Sequence, residues 1–370
     1  MYLASFQALN FKNYPEFNIL FSPEVNLFTG PNGSGKTNLL DAIYFICLTK
    51  SAFHSIDANN IKHKADFLTL KAAFCKNQKQ LIIQALVQKG QKKVFKLNKK
   101  PYEKITEHIG SFPAVLITPY DTDLIREGSE ERRKFFDAIL SQTDYNYLNA
   151  LLKYNKILKQ RNALLKQFAE KKFRDIDLLS SYDELLIKTG NFIFEKRKEL
   201  LAIFMLQFRK HYENLSEKKE AVSLQYASDY LDTDFKKLFL KNRDKDLLLQ
   251  RTGKGVHKDD FIFEINGFSI KSFGSQGQQK SFVIALKLAQ FEYIYTKGLE
   301  KPILLLDDIF DKLDQKRIEK LLQIISEPIF GQVFITEART DRVEHFFGKI
   351  KREVRTFSIQ NGVIEATSKD

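Results

Sequence analysis

Val25-Asn26-Leu27-Phe28-Thr29-Gly30-Pro31-Asn32-Gly33-Ser34-Gly35-Lys36-Thr37-Asn38-Leu39-Leu40 is the stretch that decides the fold. An apolar run ending at Phe28 reads as a buried strand, a glycine-rich turn follows, and Asn38, Leu39, Leu40, Ala42 and Ile43 open a helix. G-x-x-x-x-G-K-T between a strand and a helix is the context of a phosphate-binding loop. Glycines let the backbone curl so that several N–H groups converge on phosphate oxygens, and the helix N-terminus adds partial positive charge. Gly30, Pro31, Asn32, Gly33, Ser34, Gly35, Lys36, Thr37 and Asn38 are therefore the candidate cradle for ATP. Lys36 would reach the β- and γ-phosphates, and the Thr37 hydroxyl would ligate Mg²⁺.

Two further stretches bear on the same chemistry. Ile303-Leu304-Leu305-Leu306-Asp307-Asp308 reads as a strand buried on both faces, with two aspartates at its carboxyl end. That is where ligands bind in an open α/β sheet. One carboxylate, Asp307, suits Mg²⁺ together with Thr37, and Asp308 suits the attacking water. Upstream, Ser275-Gln276-Gly277-Gln278-Gln279-Lys280 opens a helix with a hydroxyl and free N–H groups, again apt for an anion. An ordinary N-cap at Ser275 is the other reading of that segment. A second anion cradle makes sense if it caps a nucleotide held by another copy of the chain. Ser275, Gly277 and Gln278 are its candidate contacts.

The flanking chain gives the organisation. Residues 2–9 alternate apolar and polar as a strand, and 67–74, 80–87 and 92–98 read as strands between Lys/Gln/Gly turns. Pro113 to Pro119 is a short buried strand. From about Glu127 to Leu215 the chain is rich in Leu, Lys, Glu and Phe and lacks proline, which predicts a helical bundle. Thr252 to Gly255 reads as a linker, and Phe261 to Ile270 as a hairpin closed by Asn266-Gly267. Helices are expected over Ser281–Tyr295 and Gln315–Ile325, and strands over Ile303–Leu306 and Gln332–Thr336. The fold class is α/β: a mixed sheet with a P-loop core and an inserted helical domain. Residues 1–120 and 255–370 form the discontinuous core and 121–254 the helical arm, with the signature stretch at 275–280.

The chain has 370 residues, 59 Lys and Arg against 46 Asp and Glu, and a net charge of +13. That balance suggests a polyanionic partner, nucleic acid or an acidic membrane surface. Two cysteines, Cys47 and Cys75, offer neither a disulfide framework nor a zinc site. The N-terminus has no signal-peptide pattern, and no apolar stretch approaches the roughly 20 residues that span a bilayer. A soluble intracellular protein is expected. Arg132-Arg133-Lys134, and Lys96 to Lys100 with Tyr102, are candidates for phosphate contact, against the alternative of solvated faces. The six histidines show no cluster spacing, and His345 reads as a surface residue.

The ordered triplet of motifs is shared by ABC-type ATPase heads, and the chain resembles the RecF family of the SMC-like group. Leu9-Asn10-Phe11-Lys12-Asn13-Tyr14 is similar to its opening Asn-Phe-Arg-Asn-Tyr. Pro119, Gly128, Arg132, Arg133, Phe135 and Asp137 match a family signature, and Gly255-Val256-His257-Lys258-Asp259-Asp260 resembles its Gly-Pro-His-Arg-Asp-Asp. Leu306 to Asp314 matches the Walker B and D-loop. Departures are Lys12 for Arg, Tyr120 for an acid, Glu130 for proline, His54 for Arg, and Asp311-Lys312 for Ser/Ala-Glu. The resemblance implies a nucleotide contact at Lys12, a switch position at Thr336, and a weak DNA-stimulated ATPase. It implies an ATP-dependent homodimer on double-stranded DNA near single-strand gaps. That dimer would help RecR and RecO place RecA, in the cytoplasm and associated with the nucleoid.

Other functions fit less well. An SMC-like tether needs arms of several hundred residues, whereas 271 residues separate Lys36 from Asp307 (307 − 36), and helices of only about 30–50 Å are expected between them. A transporter ATPase subunit needs no strong basic charge. An added nuclease domain would have to fit in the 56 residues after Asp314 (370 − 314).

Overall fold

The computed structural model describes residues 1–170, 174–216, 220–231, 234–298, 300–310, 314–338 and 352–367. Two compact units emerge: 1–121, 214–217 and 280–370 in the first, and 122–213 and 218–279 in the second.

The first unit opens with β1 (Tyr2–Phe11), β2 (Tyr14–Leu20), β3 (Val25–Thr29) and α1 (Lys36–Leu48). Next come β4 (Phe67–Lys76), β5 (Lys79–Gln88), β6 (Val94–Leu97), β7 (Lys100–Pro101) and β8 (Ala114–Ile117). β1, β2 and β4–β7 form an antiparallel sheet in the order β2-β1-β4-β5-β6-β7. Alternation sets its faces: Phe6, Ala8, Leu68, Leu70, Ile83 and Ala85 point to the core.

The second unit holds α2 (Asp123–Arg126), α3 (Ser129–Thr143), α4 (Tyr145–Glu170) and α5 (Ile176–Ser216), then β9 (Val222–Ala227), α6 (Phe235–Lys241) and α7 (Arg243–Leu249). It ends with β10 (Asp260–Ile265), β11 (Phe268–Ser269) and α8 (Ile270–Phe273). The helical arm is longer than the sequence suggested. α5 has 41 residues, about 60 Å at ~1.5 Å per residue. The sequence pattern assigns residues 255–279 to the ATPase core, but they belong to this unit. The cause is register: β10 pairs with β9 from Asp260↔Ala227 to Ile265↔Val222, tying the hairpin to the arm. The expected linker is also tied into the unit at Thr252. Thr252 is 2% exposed and donates to Asn162 Oδ1 from both its N–H and its hydroxyl.

The chain returns to the first unit in α9 (Gln276–Thr296), β12 (Ile303–Leu306), α10 (Gln315–Ile325), β13 (Val333–Glu337), β14 (Val354–Gln360) and β15 (Val363–Thr367). A second sheet has the order β15-β14-β3-β13-β12-β8. Its strands are parallel except β15, which pairs antiparallel with β14. β3, β8, β12 and β13 are buried throughout, as parallel strands covered on both faces must be. Ten of the thirteen residues of α1 are buried, and one core joins its Leu39, Ile43 and Ile46 to Phe6 and Leu70 of the first sheet and Phe28 and Leu305 of the second. α1 is apolar on nearly every side because both sheets pack on it, which fixes the phosphate loop rigidly at its N-terminus.

Candidate active site

The site grows from the carboxyl ends of three neighbouring strands, β3, β13 and β12. The loop after β3 turns through Gly30 at φ +149°, where a Cβ would lie 2.2 Å from the Ile359 carbonyl oxygen, and Gly35 at φ +117°, where it would meet the Asn13 amide at 2.5 Å. No side chain fits at either position. The turn Asn13-Tyr14 braces the loop: the Tyr14 hydroxyl donates to Gly35 O at 2.9 Å, and Asn13 Nδ2 donates to Ser34 O at 3.3 Å. Asn13 Oδ1 accepts from the Asn38 amide at 2.7 Å. In the sequence Asn13-Tyr14 shows only as part of the family's opening motif; the brace itself joins residues 21 to 25 positions apart and has no local signal.

Lys36 Nζ donates to Gly30 O at 2.7 Å and Pro31 O at 3.0 Å. Burial pushes its pKa down, and the carboxylates of Asp308, Asp307 and Glu337 push it back up. The ammonium is thus folded onto its own loop, beside three acids.

Asp307 follows β12 and is buried. Thr37 Oγ1 lies 2.9 Å from both of its carboxylate oxygens. The Thr336 hydroxyl, at the end of β13, donates to Asp307 Oδ1 at 2.9 Å and accepts from the Asp308 N–H at 2.9 Å. Burial raises the Asp307 pKa, and the hydrogen bonds from Thr336 and Thr37 only partly oppose this. Asp308 takes a left-handed backbone, φ +45°, that swings it out of the strand. Asn32, Gly33, Gly35, Lys36, Thr37, Asn38, Asp307 and Asp308 line one pocket of about 240 Å³. Its oxygen donors fit Mg²⁺, which takes one or two carboxylates and substrate phosphates rather than an all-protein cage. Among the described residues no group of three or more His, Cys, Asp or Glu could hold a metal. The sequence reading missed Glu337, 1% exposed at the end of β13 and felt electrostatically by Lys36.

Lys12 does not line this pocket. Its ammonium is 2.6 Å from the buried carboxylate of Asp41, lies over the Phe53 ring and is 9% exposed. Asp41 also accepts from Ser51 Oγ and Ala52 N, both at 2.7 Å, so Lys12 completes a buried cluster below the loop.

In the second unit, Ser275 and Gln278 form a reciprocal capping box on α9. The Gln278 N–H donates to Ser275 Oγ at 3.3 Å and the Ser275 N–H to Gln278 Oε1 at 2.7 Å. Both the N-cap reading and an exposed hydroxyl with a donor to spare are therefore present. The Gln278 amide also donates to Glu220 at 2.7 Å.

Arg132 and Arg133 are not free phosphate contacts. Arg132 pairs with Asp260 at 2.8 Å, and Arg133 donates to Asp259 O at 2.6 Å. Exposed Lys134 pairs with Glu130 and Glu131. Arg132 and Arg133 form one edge of a buried network. Arg197 is 2% exposed and grips Asp137 with two nitrogens, at 2.9 and 3.0 Å; it also donates to Asp259 Oδ2 at 3.0 Å and to Val256 O at 2.8 Å. The Tyr154 hydroxyl and His257 Nδ1 are hydrogen-bonded at 2.8 Å. Lys96, Lys99 and Lys100 are exposed in the first unit, while the Tyr102 hydroxyl turns inward to His108. His345 and Asp311, Lys312 and Leu313 lie outside the described residues.

A phosphate loop, two carboxylates after a buried parallel strand and a hydroxyl between them define an ABC-type ATPase head. Residues 2–365 match the family model for the RecF/RecN/SMC N-terminal domain. The chain is 50% identical over 365 residues to the DNA replication and repair protein RecF of Cytophaga hutchinsonii, covering 99% of this chain and 97% of that protein. Against the Flavobacterium johnsoniae RecF it is 46% identical over 361 residues, 98% of this chain and all of the other. The chain thus belongs to the RecF/RecN/SMC family, among its RecF proteins. The solved structure of the recombination mediator protein RecF with ATP, of the RecFOR pathway, superposes with a TM-score of 0.88 at 29% identity, over 99% of this chain and 98% of that one. An Smc head with an extended coiled coil, at 17% identity and TM-score 0.58, shares the fold alone. Among the described residues no helix is long and apolar enough to cross a membrane.

Proposed function

We propose that the chain is an ATP-driven DNA clamp of recombinational repair. Two copies close on ATP, hold double-stranded DNA near single-strand gaps and, with RecR and RecO, assist RecA loading; slow, DNA-stimulated hydrolysis resets them. The carrying observation is the 2.9 Å contact of Thr37 with Asp307, which joins the loop to the acidic strand end. Lys36 holds the β- and γ-phosphates, Thr37 and Asp307 hold Mg²⁺, and Asp308 orients and deprotonates the attacking water. Bound Mg²⁺ supplies charge neutralisation on the transferred phosphoryl group. Ser275, Gly277 and Gln278 cap the nucleotide of the other copy. Membership among RecF proteins, the fit to an ATP complex and the charge of +13 support this reading; exposed Lys99 and Lys100 supply cations for the backbone. A cytoplasmic, nucleoid-associated location follows from it.

Filter binding of duplex DNA at varied salt tests the proposal. Binding should need ATP, ignore sequence and weaken steeply with salt as counterions are released. Salt-insensitive binding, or equal binding without nucleotide, contradicts it.

A further inference from the structure

The outer face of the antiparallel sheet carries an organised surface that the nucleotide site does not use. Across five strands the register aligns Asn18, Gln7, Lys71, Gln84 and Lys96 in one row. Two residues along, Leu9, Thr69, Leu86 and Val94 form a second row, with Glu16 at its β2 end. Both rows line one open groove of about 840 Å³. Leu86 is 38% and Val94 37% exposed, large for aliphatic side chains side by side on one face. None of the five polar side chains of the first row has a hydrogen-bond or ion-pair partner among the described residues.

We propose that this groove docks an acidic, amphipathic helix of a partner protein. Charge is the first argument: from Phe67 to Tyr102 the chain carries nine lysines and no Asp or Glu. Lys71 and Lys96 are the two of these that face the groove. Pattern is the second. The basic row and the apolar row run side by side about 7 Å apart, two residues of strand, so the occupant needs an acidic edge next to an apolar one. A helix offers both at i, i+3 and i+4 spacing. Size is the third. Five strands at ~4.8 Å spacing span about 19 Å, the length of ~13 helical residues. A nucleic-acid backbone fits less well, because aliphatic Leu9, Leu86 and Val94 lie along the groove and only two lysines face it, whereas phosphate contacts ask for polar, strongly cationic surface. The proposal is independent of nucleotide binding.

Fluorescence anisotropy on the full chain tests it, with a labelled helical peptide of about four turns bearing Leu on one edge and Glu on the other. Saturable binding is expected, weakened at least tenfold by Lys71→Glu with Lys96→Glu and also by Leu86→Gln, with ATP turnover measured without DNA unchanged. Lys71→Gln with Lys96→Gln should give a smaller loss and serves if charge reversal impairs folding. A peptide with Lys for Glu should not bind. Absent or non-saturable binding of the acidic peptide, or binding indifferent to these substitutions, overturns the proposal. So does duplex DNA affinity falling as much as peptide affinity, which would make the face a nucleic-acid surface.

Discussion

The hydroxyl of Thr37 donates to the carboxylate of Asp307 at 2.9 Å, joining residues 270 positions apart in the chain. Both belong to the first unit, and β13 lies between the strands that carry them. The inserted arm therefore interrupts the sequence of this site without interrupting its sheet.

Thr37→Val keeps the shape of the side chain and removes the oxygen. ATP hydrolysis should fall at least tenfold, about 1.4 kcal/mol of lost transition-state stabilisation, and should require more Mg²⁺ for half-maximal rate. A phosphate-release assay across Mg²⁺ concentrations checks this; an unchanged Mg²⁺ requirement would remove Thr37 from the metal site.

Arg197→Met should destabilise the second unit. It leaves Asp137 and buried Asp259 without their cation, and breaking a buried pair costs about 3–5 kcal/mol. Denaturant unfolding measures the loss. Salt-dependent DNA affinity of the folded fraction should stay the same, since Arg197 is 2% exposed.

Local rules made the core legible. Gly30 to Thr37, the aliphatic run at 303–306 and Asp307-Asp308 each carry chemistry within a few residues, and their strands and helix stand where those patterns put them. Long-range pairing was not legible. Arg132 and Arg133 read as surface cations because their partners, Asp260 and Asp259, lie more than a hundred residues away. The nucleotide contact at Lys12 is implied by the family resemblance, whereas its ammonium pairs with buried Asp41, a partner that nothing local announces. β9, six residues long, shows only beside β10. The β14–β15 hairpin was overlooked although Asn361-Gly362 marks its turn, both at positive φ.

Ser275→Arg puts bulk and charge at an exposed helix start and removes the capping hydroxyl. The N-cap loss alone costs about 1 kcal/mol, so the fold should survive. The variant should bind ATP and stay monomeric in light scattering. A normal ATP-dependent dimer would reject the role of this loop in capping the other copy's nucleotide.

The most direct measurement is the fate of ATP and DNA in Asp308→Asn. An amide is nearly isosteric with the carboxylate but far less basic, so nucleotide binding should persist while the hydrolytic step slows at least about a hundredfold, the scale of a lost general base. Dissociation from duplex DNA with ATP and Mg²⁺ present should then be slower than for the unaltered chain, because the closed dimer is not reset. Unchanged turnover, or faster release from DNA, would contradict the assignment of Asp308 and the clamp cycle built on it.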